Sequence, residues 1–278
     1  MSIGILHPGA MGTSIGAALS GRGSDVVWAS AGRSAATRAR AESDGLIDVG
    51  SMEALVDRCD TIISVCPPAD ALTVARDVAA FGFAGVYLDA NAVAPETART
   101  IAAVVGKVGA IALDGGIIGP PARHQGLTVL YLSGNRERSG AIAALFDAGP
   151  LETHHVGDEP GAASAVKMAF AAWTKGTSAL LLAIRALAET EGVADGLDHA
   201  WSKLTPELVD RLPQTARGTA PKAWRFVGEM REIAATFEAA DLPAGFHDAA
   251  AEIYEALADL RDRDDVELDD VVRRLRGP

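Results

Sequence analysis

The order of hydrophobic and polar positions changes character about halfway along the chain. In the first half, short apolar runs alternate with segments in which apolar residues recur at helical spacing. This alternation is typical of a parallel β-sheet covered by helices on both faces. The apolar runs predict strands at residues 3–6, 25–28, 61–65, 86–89, 110–113, 128–132 and 152–156. The segments between them predict helices at residues 33–44, 51–58, 69–80 and 96–105.

The second half carries helical patterns alone. From about Pro160 onward, alanine-, leucine- and glutamate-rich segments follow one another, several of them separated by prolines. They predict helices at residues 162–191, 200–211, 222–240, 244–261 and 266–275. We therefore predict an α/β domain with a mainly parallel sheet at residues 1–157, followed by an all-α domain at residues 158–278.

Composition limits the partners that such a protein can have. Hydrophobic residues make up 49% of the 278 positions and the net charge is −12, which favours a large core and disfavours nucleic acid and anionic membranes as partners. The two cysteines, and the histidines at positions 7, 124, 154 and 155, lack the spacing of a metal site. The longest apolar segment is interrupted by Lys167, Lys175 and Arg185, which indicates a buried soluble helix rather than a membrane span. No leader pattern precedes the first strand, and a cytoplasmic location is expected.

The most informative segment is residues 4–18, close to the N-terminus. It reads as a short apolar strand, a tight glycine-containing turn and the start of a helix rich in small residues. Gly9 and Gly12 keep two places of the G-x-G-x-x-G pattern, and His7 stands where the first glycine is usual. Such a turn lets backbone N–H groups at the positive end of a helix contact a pyrophosphate. The residues expected to contact a dinucleotide here are His7, Pro8, Gly9, Ala10, Met11 and Gly12.

The loop after the second predicted strand indicates which dinucleotide is bound. An NAD-binding domain carries an Asp or Glu about 20 residues after the glycine turn, where it contacts the ribose 2′-hydroxyl. This loop has no acid and contains Ser30, Arg33 and Ser34 instead. Because a guanidinium group suits a phosphate, the loop favours the 2′-phosphate of NADP(H). The alternative is that Arg33 and Ser34 form an ordinary solvated helix start.

Taken in order, several segments resemble the β-hydroxyacid dehydrogenase superfamily, which includes 6-phosphogluconate dehydrogenase, 3-hydroxyisobutyrate dehydrogenase and the imine reductases. Within it, the chain is most similar to the group called "phosphogluconate dehydrogenase, NAD-binding, putative-like". The landmarks are residues 9–12, 32–34, 65–68, 89–95, 114–119, 161–167 and 225–230. The resemblance implies a Rossmann-type dinucleotide-binding domain at residues 1–157, a helical substrate and dimerisation domain at residues 158–278, a homodimer, and an active site in a cleft between the domains.

The resemblance also implies that Lys167 is the catalytic acid/base, because the family lysine matches this position. Hydride transfer to a carbonyl creates an alkoxide, and a lysine whose pKa is lowered by burial can supply the proton. Without the resemblance, a lysine among alanines is expected to extend its amine to solvent. Two family residues are replaced, namely the substrate-binding serine by Ile118 and an asparagine one turn after the lysine by Ala171.

Two further strand ends are expected to contact the cofactor. Val65, Cys66 and Pro67 end one strand in a rigid turn suited to brace the nicotinamide ribose. Asn91 follows the next strand, where it either bonds the ribose or carboxamide or serves ordinary turn chemistry.

Candidates for substrate contact come from both halves of the chain. They are Gly116, Ile118, Lys175, Arg225 and His247. The alternatives are loop geometry for the glycine, an exposed helix edge for Lys175, a surface i,i+4 ion pair with Glu229 for Arg225, and a plain loop position for His247. Trp173 is expected to pack between the domains.

These features predict an NADPH-dependent oxidoreductase that acts on a small-molecule carbonyl or hydroxyl compound. The loss of the serine and the asparagine leaves imine reduction as a second enzymatic hypothesis. A third hypothesis is a non-catalytic, NADP-binding regulatory protein that kept the cofactor domain and lost turnover. Lys167 separates them, because a pure binding protein does not need a proton donor there.

Overall fold

The computed structural model describes residues 2–277, so Met1 and Pro278, the outer ends of the two predicted domains, lie outside the described residues. Its strands are β1 (Ser2–Leu6), β2 (Asp25–Trp28), β3 (Ile47–Asp48), β4 (Thr61–Ser64), β5 (Val86–Asp89), β6 (Ile111–Ile118), β7 (Thr128–Gly134) and β8 (Leu151–Gly157). Within residues 2–277 they form one sheet in the order β3-β2-β1-β4-β5-β6-β7-β8. Neighbours pair in parallel except β6 and β7, which are antiparallel. The prediction of a mainly parallel, Rossmann-type sheet is confirmed.

Helices cover this sheet and make up the remainder of the fold. Those that alternate with the strands are α1 (Ala10–Ser20), α2 (Ala35–Ser43), α3 (Met52–Arg58), α4 (Ala71–Ala80), α5 (Pro95–Gly106) and α6 (Arg136–Ala144). Those that follow the last strand are α7 (Ala162–Thr190), α8 (Ala194–Leu204), α9 (Glu207–Thr219), α10 (Ala223–Glu238), α11 (Gly245–Ala256) and α12 (Leu268–Arg276). The predicted all-α second half is therefore confirmed.

Successive strand residues contribute to two separate hydrophobic clusters. Ile5 and Ile63 belong to one cluster, whereas their chain neighbours Leu6 and Ile62 belong to the other. Because side chains alternate between the faces of a strand, the sheet is apolar on both faces and helices pack against each. This burial explains why the strands read as continuous apolar runs in the sequence.

The chain divides into two compact units, Met1–Met168 and Ala169–Pro278, and the division falls within α7. In the second unit, Met230 and Ile233 of α10 and Tyr254 of α11 are fully buried. The domain boundary at residue 157 stays a prediction. In the described part of the chain, no helix is both long enough and apolar enough to cross a membrane.

One predicted helix is wrong in its extent. Residues 200–211 were expected to form a single helix, but α8 ends at Leu204 and α9 begins at Glu207. Thr205 has φ −146° and ψ 60°, outside the helical region. The residue before a proline is disfavoured in helical conformation, and Pro206 begins the next helix as its N-cap. The helix expected at residues 244–261 is also shorter, because α11 ends at Ala256 and a 3₁₀ turn follows.

Strand β6 is longer than expected, and two elements were missed. The pair Gly115-Gly116 reads as a loop, yet β6 continues to Ile118. Strand β3 has two residues and both are exposed, so it lacks a hydrophobic pattern. Helix α6 is mostly polar; its start is marked by Asn135, whose side chain accepts a hydrogen bond from the amide of Arg138.

Candidate active site

Three central strands end in register at one edge of the sheet, and a fourth, β6, passes through the same line. Leu6 of β1 pairs with Ser64 of β4, Ser64 with Asp89 of β5, and Asp89 with Asp114 of β6. Residues directly after these four positions therefore lie at the carboxyl edge, where open α/β sheets bind ligands. The predicted cofactor residues of the first, fourth and fifth strands all follow this line, and β6 continues four residues beyond it.

The glycine turn presents an uncapped helix start. Gly9 is the N-cap of α1, and among the described residues no side chain caps it and no acid lies in the first turn. The first N–H groups of a helix lack partners within the helix, and the helix dipole makes this end positive. A Cβ on Gly12 would lie 2.9 Å from the carbonyl oxygen of His7, so only glycine allows the turn to close this tightly. The arrangement fits a pyrophosphate.

His7 occupies the glycine position with an unusual backbone and an unpaired ring nitrogen. Its φ is 60°, a left-handed conformation that costs a non-glycine residue roughly 1–3 kcal/mol. Nδ1 is buried and has no hydrogen-bond partner among the described residues. Burial first, and the charge of Arg33 second, lower the pKa of His7 to about 4, although Asp70 opposes this change. The ring is therefore neutral at pH 7 and has one nitrogen that accepts hydrogen bonds.

The loop after β2 brings basic residues to the glycine turn. Arg33 is close enough for its charge to act on His7 and on Cys66. Ser34 caps α2 by accepting a hydrogen bond from the amide of Thr37 at 3.2 Å. Arg40, which sequence reasoning missed, donates to the carbonyl oxygen of Pro8 at 3.3 Å. Arg33 precedes α2 and Arg40 lies in its last turn, so no short sequence pattern connects the two.

An acid also lies beside this loop, contrary to expectation. Asp48 ends β3 and pairs with Trp28 of β2, and its side chain accepts a hydrogen bond from the amide of Gly50 at 2.8 Å. Burial raises the pKa of Asp48, but hydrogen bonds from Ser30 and Gly50 and the charge of Arg38 outweigh it, so the pKa lies below its ordinary value. Ser30 is buried and already forms a hydrogen bond with Asp48. The acid comes from the third strand, so a search of the second loop cannot find it.

Asn91 braces the turn at Cys66. Its Oδ1 accepts a hydrogen bond from the amide of Cys66 at 2.5 Å, and its Nδ2 donates to Ser64 Oγ at 3.1 Å. Asn91 is buried, and this bracing is the turn chemistry expected as one alternative. Contact of Val65, Cys66, Pro67 and Asn91 with the cofactor stays a prediction. Burial raises the pKa of the Cys66 thiol to about 12, so Cys66 is not a nucleophile at neutral pH.

Asp89 is a buried acid that sequence reasoning did not single out. Its Oδ1 accepts a hydrogen bond from the amide of Asn91 at 2.9 Å, while its Oδ2 has no partner among the described residues. Burial, together with the smaller effect of the neighbouring Asp114, raises the pKa of Asp89 to about 7. Its place at the end of an apolar strand was the available signal.

Lys167 lies on the side of α7 that faces β6. A Cβ on Gly116 would lie 3.1 Å from the Cβ of Lys167 and 2.5 Å from the carbonyl oxygen of Ala163. The glycine lies within β6 and permits close approach of a helix, which corrects the alternative that loop geometry explains it. Ile118, the last residue of β6, is half-buried and pairs with Val129. Contact of Gly116 and Ile118 with a substrate stays a prediction.

The remaining substrate candidates lie in the second unit. Lys175 Nζ is 2.9 Å from Glu229 Oε2, with both side chains largely buried, and lies 5.1 Å from the centre of the Phe226 ring. The alternative for Arg225, a surface ion pair with Glu229, is therefore wrong, because Glu229 pairs with Lys175. Arg225 is exposed and its guanidinium lies 5.5 Å from the Trp224 ring.

His247 and Trp173 differ from their expected surroundings. His247 begins α11 rather than occupying a loop, is buried, and packs 4.2 Å from the Phe237 ring. Burial lowers the pKa of His247. Trp173, expected as a packing residue, is 66% exposed. Across residues 2–277, no group of three or more His, Cys, Asp and Glu side chains is arranged to hold a metal ion.

A curated relative is known from Methanothermus fervidus, where it is described as an uncharacterised 28.5 kDa protein in the 7S RNA 5′ region. It is 30% identical over 166 residues, which cover 60% of this chain and 62% of that protein. The match thus spans less than two thirds of the relative's length.

Solved structures share the fold over nearly the whole chain. The conserved protein MTH1747, of unknown function and described as structurally similar to 3-hydroxyacid dehydrogenases, is 26% identical with a TM-score of 0.68, covering 94% of this chain and 98% of that one. A 3-hydroxyisobutyrate dehydrogenase from Mycobacterium tuberculosis is 19% identical with a TM-score of 0.71, covering 99% of both chains. An imine reductase from Streptomyces aurantiacus is 20% identical with a TM-score of 0.58, covering 98% of both.

Family comparison agrees with the geometry of the glycine turn. Residues 188–257 match a domain of unknown function called DUF1932. Residues 2–157, more than half of the chain, match the NAD binding domain of 6-phosphogluconate dehydrogenase. Dinucleotide-binding domains hold the pyrophosphate at a glycine turn that leads into a helix N-terminus, and Gly9 and Gly12 form such a turn in this chain. The chain belongs to the family of the 6-phosphogluconate dehydrogenase NAD-binding domain.

Proposed function

We propose that the protein is an NADPH-dependent oxidoreductase that transfers a hydride between the nicotinamide and a small carbonyl or hydroxyl compound, with Lys167 as the general acid/base. The observation that carries the proposal is the position of Lys167. It packs against Gly116, two residues past Asp114, which aligns with the ends of β1, β4 and β5. Lys167 and the glycine turn are thus at the same edge of one sheet, which supports the proposal.

The residues divide the chemical work as follows. Bound NADPH supplies the hydride. The start of α1 holds the pyrophosphate through its amides, and the turn at Val65, Cys66 and Pro67 orients the nicotinamide ribose. Lys167 donates a proton to the oxygen as negative charge develops there and accepts one in the reverse direction.

The preference for NADPH over NADH rests on Arg33 and its neighbours. Arg33 and Arg40 both reach the region of the glycine turn, and charge-assisted hydrogen bonds to a phosphate are among the strongest in proteins. Asp48 opposes this preference. Its charge is partly balanced by Arg38, whose Nη1 lies 4.0 Å from Asp48 Oδ2.

Imine reduction is the second candidate, and two apolar residues favour it. Ile118 and the fully buried Ala171 stand where the resemblance expects a serine and an asparagine. Neither side chain can hydrogen-bond a hydroxyl or a carboxylate, so a substrate lacking these groups fits better. The fold shared with an imine reductase is consistent with this alternative.

A panel of ketones, aldehydes, preformed imines and 3-hydroxyacids, followed by NADPH absorbance, tests the proposal. The Lys167→Met variant should lose at least about 100-fold in kcat, the contribution typical of a positioned acid/base. Its NADPH dissociation constant, measured by calorimetry, should stay within about threefold of the parent's. The matched control is Lys107→Met, which removes an exposed lysine of the same unit. Unchanged turnover in Lys167→Met, or NADPH binding without turnover of any panel member, contradicts the proposal; the second result favours the regulatory alternative.

We further propose a homodimer formed through the second unit. Helix α7 carries Trp173, Leu180 and Leu187 exposed to 66%, 43% and 61%. Residues seven apart lie nearly on one face of a helix, so these side chains form an apolar stripe. We propose that this stripe packs against the same stripe of a second copy of the chain.

A further inference from the structure

We propose that Asp114 is a positioning residue for the reaction: its buried carboxylate fixes the first turn of α7 against β6, and so sets where Lys167 stands. The inference rests on the proposed function, because the position of Lys167 affects the reaction only if Lys167 is the general acid/base. It adds Asp114 to the residues on which the reaction depends, and neither the glycine turn nor Lys167 indicates this residue.

The carboxylate of Asp114 replaces the ordinary cap of α7. Its Oδ2 accepts hydrogen bonds from the amides of Gly161 at 2.8 Å and Ser164 at 3.0 Å. Its Oδ1 accepts one from Ser164 Oγ at 2.6 Å. The first amides of a helix have no partner within the helix, and a negative charge at this end is favourable. Asp114 therefore accepts the hydrogen bonds of amides at the start of α7, although it lies on a strand about 50 residues earlier in the sequence.

Ser133 extends the same contact to the next strand. Its Oγ donates to Asp114 Oδ2 at 2.9 Å and accepts a hydrogen bond from the amide of Ala163 at 3.1 Å. Asp114, Ser133 and Ser164 are each almost completely buried. Buried hydrogen bonds to a charged group are strong and geometrically demanding. The first turn of α7 is thus held by both β6 and β7.

Gly116 makes a second contact between the same two elements, farther along both. It lies two residues after Asp114 on the same face of β6, about 7 Å along the strand. Lys167 lies three residues after Ser164, about 4.5 Å along the helix. The acid faces Ser164 and the glycine faces Lys167, so strand and helix advance together towards the carboxyl edge. The contacts at Asp114 and at Gly116 fix the direction of α7 along β6, and Lys167 lies at the contact with Gly116.

The neighbouring acid shows that burial alone does not create this arrangement. Asp89 pairs directly with Asp114 across β5 and β6 and is equally buried. Its hydrogen bond goes to Asn91, two residues on in its own loop, and its other oxygen has no partner among the described residues. Asp114 instead has its hydrogen bonds directed at the helix that carries the lysine.

The test uses the full chain with Asp114→Asn and, in case that variant folds poorly, Ser164→Ala. An amide side chain cannot accept on both of its atoms, so the first turn of α7 should loosen. We expect kcat to fall about 100-fold in Asp114→Asn, the loss typical of a misplaced group, and several-fold in Ser164→Ala. The NADPH dissociation constant and the substrate KM should change less than about threefold. Hydrogen exchange of the amides at residues 161–167 should accelerate at least tenfold, while the glycine turn keeps its protection.

The control is Val78→Ala, which removes a fully buried side chain of α4 and destabilises the same unit through a different helix. It should lower the melting temperature but not kcat. Unchanged kcat, or unchanged exchange at residues 161–167 in both variants, overturns the inference. If Lys167→Met retains turnover, the proposed function fails instead. If Lys167→Met is inactive while Asp114→Asn is fully active, only the positioning role of Asp114 fails.

Discussion

Asp89 and Asp114 lie opposite each other on the parallel strands β5 and β6, and the structure treats these two buried carboxyl groups differently. Asp114 accepts hydrogen bonds from the start of α7, whereas one oxygen of Asp89 has no partner among the described residues. A buried acid without such donors is more stable in its protonated form. The pKa of Asp89 is raised accordingly, to about 7.

Asp89 should therefore make stability fall as pH rises. The unfolded chain releases the proton near pH 4, but the folded chain retains it until about pH 7, so the fold loses stability across this window. Asp89→Asn removes the ionisation. The melting temperature of the variant is compared with that of the parent at each pH. We expect this difference to be about 2–4 °C more favourable to the variant at pH 8 than at pH 5.

The comparison needs an acid that is not buried. Asp147→Asn, at an exposed loop position, should shift the melting temperature equally at both pH values. An equal shift for Asp89→Asn as well would show that Asp89 ionises normally in the folded protein.

Histidine at position 7 should have the opposite dependence on pH. The pKa of His7 is lowered to about 4 by burial and by Arg33. Between about pH 6.5 and pH 4 the unfolded chain binds a proton that the folded ring does not, so stability falls as pH falls. His7→Gly removes this titration and suits the φ of 60°. Urea unfolding at pH 7 and pH 5 should show a smaller loss of free energy in His7→Gly than in the parent. The exposed His124 serves as the control in His124→Gly, and equal losses in parent and His7→Gly would refute the lowered pKa.

Cofactor preference should respond in opposite directions to two substitutions beside the glycine turn. Arg33→Ala removes a cation, so NADPH should bind at least about tenfold more weakly, equivalent to ~1.4 kcal/mol, with little change for NADH. Asp48→Asn removes a negative charge near the same loop, so NADPH should bind a few-fold more tightly at low salt. Calorimetry with both dinucleotides on the parent and the two variants measures the six dissociation constants. Arg22→Ala, an exposed position after α1, controls for net charge, and equal affinities for NADPH and NADH in the parent would reject the assignment.

Features that depend on neighbouring residues could be predicted from the sequence. The strand ends at Leu6 and Asp89, the glycine turn and the helix start near Ser34 are local patterns, and the structure has them where they were expected. The role predicted for Lys167 came from the resemblance to a family. The local sequence pattern alone predicts that its amine extends into solvent. The helical second half was also readable, because apolar residues recur at helical spacing over long segments.

Features that depend on distant contacts could not be predicted. Gly115 and Gly116 indicate a loop by composition, but Gly116 is needed because α7 packs against β6. Asp48 reaches the second loop only because β3 pairs with β2. Lys175 attracts Glu229 from another helix, so the spacing of Arg225 and Glu229 was misleading. In each case tertiary packing, which no short window of sequence contains, decides the contact.

The apolar stripe on α7 allows a direct test of the proposed homodimer. Trp173 and Leu187 are two helical heptads apart and are among the most exposed large apolar side chains of the described chain. Exposed apolar surface of this extent is typical of an interface. Light scattering should give a dimer for the parent at micromolar concentration and a monomer for the double variant Trp173→Glu/Leu187→Glu, because buried unpaired carboxylates oppose association. Leu204→Glu changes a leucine that is 81% exposed and lies at the end of α8, on a different helix from the stripe, and this variant should remain a dimer. A monomeric parent, or a double variant that still dimerises, would show that the stripe does not join two copies.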